Sequence, residues 1–356
     1  MAERILTRRE LNRAVLARQL LLERSTTALP RALERIAGIQ AQYVPSMYVG
    51  LWSRLERFER DALTRALERR SVVQATLMRT TIHLVSDADY WPLALAVREA
   101  RRAHWLRVTA DPVTPRQMTA AARRMRARLA EGPMRRQDID ELLGRPRSRA
   151  LGLWLDLVRV PPSGTWERRR ADLYGLAETW IEQPDITRSQ ALEHLVRRYL
   201  TGFGPATAAD VANWAGLKPA ALASTLKRLE LLRFRAEDGA ELLDLPCAPL
   251  PAADTPAPVR FLPTFDATLL VHARRTGILP EEHRPKIFHT KNPQSVPTFL
   301  VDGEIAGAWR HDGSRIVVEP FGRLDAATRR ALDDEAERLA ALYASPQLPG
   351  VTSPDS

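Results

Sequence analysis

Four threonines set the terms for how this chain can fold. Thr7-Arg8-Arg9-Glu10, Thr114-Pro115-Arg116-Gln117, Thr187-Arg188-Ser189-Gln190 and Thr207-Ala208-Ala209-Asp210 each place a hydroxyl three residues ahead of an acceptor side chain. At that spacing the hydroxyl caps the third helical amide while the third side chain caps the threonine's own amide. Each tetrapeptide therefore predicts a helix start. Many short capped helices, rather than one long repeat, predict a mainly α chain with small β elements.

The fullest unit spans 187–246. Its first helix carries Ala191, Leu192, Leu195, Val196 and Tyr199 and stops at Gly202-Phe203-Gly204-Pro205. A short helix from Thr207 to Trp214, the turn Ala215-Gly216-Leu217 and a third helix from Lys218 to Leu229 make a helix-turn-helix. Leu231–Arg235 and Glu241–Leu245 then flank Glu237-Asp238-Gly239, which predicts a hairpin with a primed turn and completes a winged helix.

The same order recurs at 133–180, where helices at Arg136–Leu142 and Ser148–Leu157 precede two extended runs around a Pro-Pro-Ser-Gly turn. It recurs again at 1–86, where helices at 7–23, 30–41, 46–54 and 59–69 lead into strands Val72–Met78 and Thr81–Val85. The chain thus reads as three tandem winged-helix modules, with a helical connector at 87–132 between the first two. A Pro/Ala-rich linker at 247–258 leads to a β-rich unit at 259–345. There Asp302-Gly303 and Asp312-Gly313 separate alternating runs into a three-stranded meander, and a helix from Asp325 to about Tyr343 closes the unit.

Composition narrows the function. The net charge is +10, and only Lys218, Lys227, Lys286 and Lys291 among the basic residues are lysines. So strong an arginine bias is mainly what a GC-rich genome imposes, but the surplus of charge itself suits a polyanion. No apolar run reaches the roughly 18–20 residues that span a bilayer. Met1-Ala2-Glu3-Arg4 leads straight into helix-forming sequence, so no signal peptide and a cytoplasmic location are expected. One cysteine, Cys247, excludes an intramolecular disulfide and cysteine-based zinc clusters. The seven histidines lack metal-ligand spacing, no carboxylate pair stands out, and phosphate-loop and nucleophile-elbow motifs are absent, so no metal and no cofactor are expected.

Tandem winged helices ordinarily read DNA, and a transcription regulator or a non-catalytic damage-binding protein would have this organisation. Five ordered blocks point elsewhere. Arg35-Ile36-Ala37-Gly38-Ile39-Gln40-Ala41-Gln42 resembles the Gln-x-Gln signature of the AlkZ/YcaQ-type DNA glycosylases. The resemblance continues through Leu77–Leu84, Phe203–Thr207, Phe261–Asp266 and Leu300–Arg310, covering nearly the whole chain. It implies metal-free removal of N7-alkylated purines, in some members from interstrand crosslinks. N7-alkylated guanine in double-stranded DNA is the expected substrate, and three modules in one chain suit a monomer that wraps the duplex alone. Gln40 and Gln42 are then the catalytic pair, positioning a water for attack at C1′. Some relatives carry aspartate at the second position, and Gln42 should restrict this chain to charged lesions. A lyase route through a lysine is disfavoured, because all four lysines lie beyond residue 217.

On a regular helix Gln40 and Gln42 would lie about 200° apart. Pro45 disfavours helix at Val44, so the pair is expected on a fraying C-terminal turn. Tyr43, Trp52 and His83 are candidates for the lesion pocket; the first two equally suit a core, and His83 suits the polar face of a strand. Lys218 and Lys227 bracket the third helix of their module and are candidates for phosphate contacts. Arg310 and His311, near a hairpin tip, are candidates for a groove probe or simply a solvated edge.

Overall fold

The computed structural model describes residues 4–110, 113–270, 272, 275–289 and 292–344, and Lys291 lies outside them. All four threonine capping boxes form. The chain opens on strand β1 (Ile5–Leu6) and helix α1 (Arg8–Arg18). Helix α2 (Leu29–Ile36), strand β2 (Ile39–Gln40) and helices α3 (Val44–Trp52) and α4 (Arg60–Glu68) follow, then the hairpin β3 (Val72–Thr76) and β4 (Ile82–Ser86). Long helices α5 (Asp87–Val108) and α6 (Pro115–Ala130) lead to β5 (Met134–Arg135) and the helix pair α7 (Arg136–Leu143) and α8 (Arg147–Trp154). Strands β6 (Leu157–Arg159) and β7 (Leu173–Leu176) and one helical turn, α9 (Ala177–Trp180), finish that stretch.

Helices α10 (Arg188–Phe203), α11 (Ala208–Ala215) and α12 (Ala223–Arg228) precede the hairpin β8 (Leu232–Ala236) and β9 (Glu241–Asp244). The hairpin loop closes with the Ala236 amide donating to the Ala240 carbonyl across Glu237-Asp238-Gly239, and of the three only Gly239 has a positive φ, so the turn is not the primed type expected. The C-terminal unit comprises β10 (Arg260–Leu262), α13 (Arg284–Ile287), β11 (Phe288–His289), β12 (Asn292–Ser295), β13 (Thr298–Val301), β14 (Glu304–His311), β15 (Ile316–Pro320) and α14 (Ala326–Ala344). The meander β13-β14-β15 forms, and β10 extends it to four strands. No helix among the described residues is long and apolar enough to cross a membrane.

Two features run across the expected module boundaries. Strands from the first and second units join in one six-stranded sheet, ordered β2-β4-β3-β6-β7-β5, through the pairing of Ala75 with Val158. Pairing the outer strand of one hairpin with that of the next removes two exposed edges at once. Strand β1 leaves its own unit to pair in parallel with β8, and α1 packs on α10. The stretch 5–18 is thereby built into the third unit. Arg18 locks it there with a bidentate pair to Asp244 at 2.7 and 2.8 Å, both side chains almost free of solvent. A second buried bidentate pair, Arg54 to Asp266 at 3.0 Å each, ties the end of α3 to the C-terminal unit.

The segment at 247–258 has no helix or strand, yet its carbonyls bind α1. Pro249, Ala253 and Thr255 accept from Arg18, Arg9 and Arg13. It is a strap as much as a linker. Helix α5 is likewise more than a connector. Tyr90, Trp91, Ala94 and Val97 lie in the principal core with Ala75 and Val158 of the sheet and Leu195 and Tyr199 of α10.

Candidate active site

Helix α2 ends at Ile36, five residues earlier than its apolar spacing suggests. Ala37 and Gly38 both adopt left-handed backbone, at φ 61° and 77°. At Gly38 a Cβ would lie 2.9 Å from Val85 Cγ1 and 3.0 Å from the Leu84 carbonyl, so only glycine fits. The reversal sends Ile39 and Gln40 out as a strand against β4, and the Ala41 amide extends the pairing to the Ile82 carbonyl. Gln40 therefore closes a strand and Gln42 sits in the bend between that strand and α3, so neither is on a helical turn. Pro45 acts in the first turn of α3, where its missing N–H costs nothing, rather than terminating the helix before it.

Leaving the helix solves the problem that a helix posed: the strand end and the bend after it bring the two side chains together. The Gln40 amide nitrogen donates to the Gln42 amide oxygen. Gln40 is buried and Gln42 is exposed, so the pair runs from the interior to the surface.

Arg79 completes the arrangement, and sequence reasoning did not single it out. It stands at the tip of the β3–β4 hairpin. Its Nη2 donates to Gln40 Oε1 at 3.2 Å, while Nη1 donates to the Trp214 carbonyl at the end of α11. Arg79 and Thr80 hold φ of 50° and 61°, a left-handed conformation rare in residues other than glycine and least favoured by β-branched threonine. Gly216, in the turn after α11, leaves room for this tip: a Cβ there would sit 3.1 Å from both the Arg79 Cα and N. Burial lowers Arg79 to about 10, so it remains a cation at neutral pH. One signal was readable: a hairpin tip of Met78-Arg79-Thr80-Thr81 contains none of the usual turn residues.

His83 pairs with Gln40 across the strands, and Ala75 pairs with His83, placing all three in one row of the sheet. The imidazole is buried rather than set on a polar face. Its Nδ1 lies 3.0 Å from the Thr81 carbonyl, which can only accept, so Nδ1 carries the proton. Burial, with Arg79 adding to it, lowers its pKa to about 3. His83 is neutral under ordinary conditions. Tyr43 follows Gln42 directly and is exposed.

The remaining candidates lie apart. Trp52 is buried in a cluster with Phe261, Phe299 and Trp309, and Arg24 covers its ring at 4.8 Å, leaving no face for a base. His311 stacks on Tyr343 at 4.1 Å, and Arg310 pairs with Glu319 on the neighbouring strand at 3.5 Å. Both stand at the end of strand β14, next to the 312–315 turn that joins it to β15, as expected. Lys218 and Lys227 are exposed at the two ends of the α12 region. Among the described residues no group of three His, Cys, Asp or Glu side chains is placed to hold a metal ion.

The family model for AlkZ-like DNA glycosylases matches residues 33–342, which includes both glutamines, Arg79 and His83. This chain belongs to the AlkZ-like DNA glycosylase family. A relative of this AlkZ-like chain from Streptomyces sahachiroi, an interstrand DNA cross-link repair glycosylase, is 22% identical over 365 aligned positions, covering 93% of this chain and 95% of the relative. The solved structure of the Streptomyces sahachiroi DNA glycosylase AlkZ superimposes with a TM-score of 0.79 at 22% identity, covering 97% of the AlkZ-like chain and 99% of the other. The mainly helical architecture with several small sheets is therefore shared across the whole length.

Proposed function

We propose that this chain hydrolyses the N-glycosidic bond of N7-alkylated guanine in double-stranded DNA, and that crosslinks formed through that nitrogen are among its substrates. It is read as a cytoplasmic, monofunctional enzyme working as a monomer. Its three helix-pair-and-hairpin units are read as winged helices that hold the duplex without a second subunit. The observation that carries the reading is the hydrogen bond between Gln40 and Gln42, oriented from behind by Arg79. The cross-link repair named for the Streptomyces sahachiroi relative accords with it.

The chemistry follows from what an amide can and cannot do. Alkylation at N7 makes guanine cationic, so the C1′–N9 bond breaks with its electron pair neutralising the departing base. A water oxygen then bonds C1′, and its proton passes to solvent. Gln42 Oε1 has a lone pair left after accepting from Gln40, enough to orient that water but not to deprotonate it. A neutral base departs with a much poorer leaving group, and this site supplies no acid to assist it. Discrimination for charged lesions is built into the pair.

The test is a duplex with a single N7-methylguanine, incubated with excess protein and then cleaved with alkali at abasic sites. Cleavage well above the spontaneous rate is the expected result. No cleavage above that rate would sink the proposal.

A further inference from the structure

Residues 115–176 hold fourteen arginines against seven carboxylates, a surplus of seven in a chain whose whole surplus is ten. Between α5, the α7–α8 pair and the β6–β7 part of the sheet lies a cavity of about 150 Å³. Arg101, Arg136, Arg149 and Arg159 line it, with Asp156 as the one carboxylate on its wall. That carboxylate is already engaged by Arg98 at 2.7 Å, and Arg136 is engaged by Asp140 at 2.8 Å.

Arg101 is the informative residue. It is buried, and among the described residues no carboxylate lies within ion-pair distance. Its Nη2 donates to the Gly152 carbonyl at 3.1 Å, while its buried Nε has no hydrogen-bond partner. Arg159 also lacks a carboxylate among the described residues; its Nη1 donates to the Ala171 carbonyl at 2.5 Å and its guanidinium lies over Tyr174. A buried cation without a counterion is costly, and a cavity walled by several such donors matches an anion with several oxygens. Burial lowers Arg101 only to about 10, so it keeps its charge at neutral pH. A cationic alkylated base would be repelled by this wall.

We propose that the cavity binds a phosphate group of the DNA backbone, with Arg101 as the buried anchor and the exposed Arg149 at its mouth. Thr80 lines the same cavity, and its neighbour Arg79 orients Gln40. A phosphate seated there grips the hairpin tip one residue from the group that aligns the glutamines.

The experiment measures equilibrium binding of a fluorescent, undamaged duplex across salt concentration. Arg101→Met preserves the apolar stem and removes the charge. The expected result is weaker binding and a log–log salt slope shallower by about 1, the signature of one lost phosphate contact. Arg149→Ala, at the exposed mouth, should do the same without touching the interior, so the test survives a misfolded Arg101 variant. Circular dichroism checks both folds. If inorganic phosphate raises the thermal midpoint of the wild type but not of Arg101→Met while the DNA slopes are equal, the backbone is overturned as the source in favour of free phosphate. Unchanged slopes without a phosphate response overturn the site. The proposal rests on the chain acting on DNA, but binding to undamaged duplex is read separately from excision, so either can fail alone.

Discussion

Arg79 Nη2 stands 3.2 Å from Gln40 Oε1, and this contact decides which way the Gln40 amide faces. A guanidinium offers only donors, so it must meet the carbonyl end. The NH₂ end is then the one presented to Gln42, whose oxygen accepts it. Among the described residues the Gln42 NH₂ and one lone pair of its oxygen have no hydrogen-bond partner, and Gln42 is the exposed member of the pair.

On the proposed mechanism Arg79 is a positioning residue: it holds the Gln40 amide, while its charge would oppose the positive charge developing on the sugar. Arg79→Met should lower the single-turnover excision rate by about 10-fold while leaving affinity for undamaged duplex unchanged. Arg79→Gln, which retains an amide donor, should recover part of the loss. A faster Arg79→Met enzyme would show that charge repulsion outweighs positioning.

Gln42→Ala removes the group that faces water. Its single-turnover rate on N7-methylguanine should drop by about 10–100-fold, in the range for one positioned polar group. Binding to undamaged DNA should hold steady. Collapse of affinity with an unchanged rate would make Gln42 a DNA contact instead.

Acid should destabilise the fold in a defined window. His83 and His272 are both held at about 3, chiefly by burial, while an unfolded imidazole titrates near 6.5. Between those values the unfolded chain binds protons that the native chain refuses, so stability falls as pH drops from about 6.5 toward 3. Each histidine contributes up to about 1.4 kcal/mol per pH unit. Urea midpoints at pH 7.5 and 5 measure the loss, and it should be smaller in His272→Gln. Equal losses in variant and wild type would count against His272 as a source.

Removing one half of a buried ion pair is the severe change. Asp244→Ala strands the Arg18 guanidinium, which is almost wholly buried, and should cost about 3–5 kcal/mol by chemical denaturation. A loss below about 1 kcal/mol would mean that the carbonyls of Leu200 and Pro249 satisfy Arg18 without the carboxylate.

The local features were largely legible in the sequence. The threonine boxes gave helix starts to within a residue, since capping is settled by neighbours three positions apart. Asp302-Gly303 marked its turn for the same reason. What escaped was everything fixed by distant partners. Periodicity carried α2 on to residue 41, because the left-handed pair Ala37-Gly38 is held by Val85 and Leu84. Arg79 escaped because its partners are 39 and 135 residues away. Trp52 was ambiguous because an aromatic beside a site and one in a core look alike until Phe261 and Trp309 arrive from the far end of the chain.

The bond from Arg79 to Trp214 also sets a schedule. During synthesis both glutamines leave the ribosome long before residue 214 exists, and β1 waits still longer for β8. Such distant pairings form late. A chain cut short ahead of α11 carries the complete Gln-x-Gln motif but lacks the carbonyl that holds Arg79 in place, so on the proposed mechanism the motif is set only once most of the chain has been made.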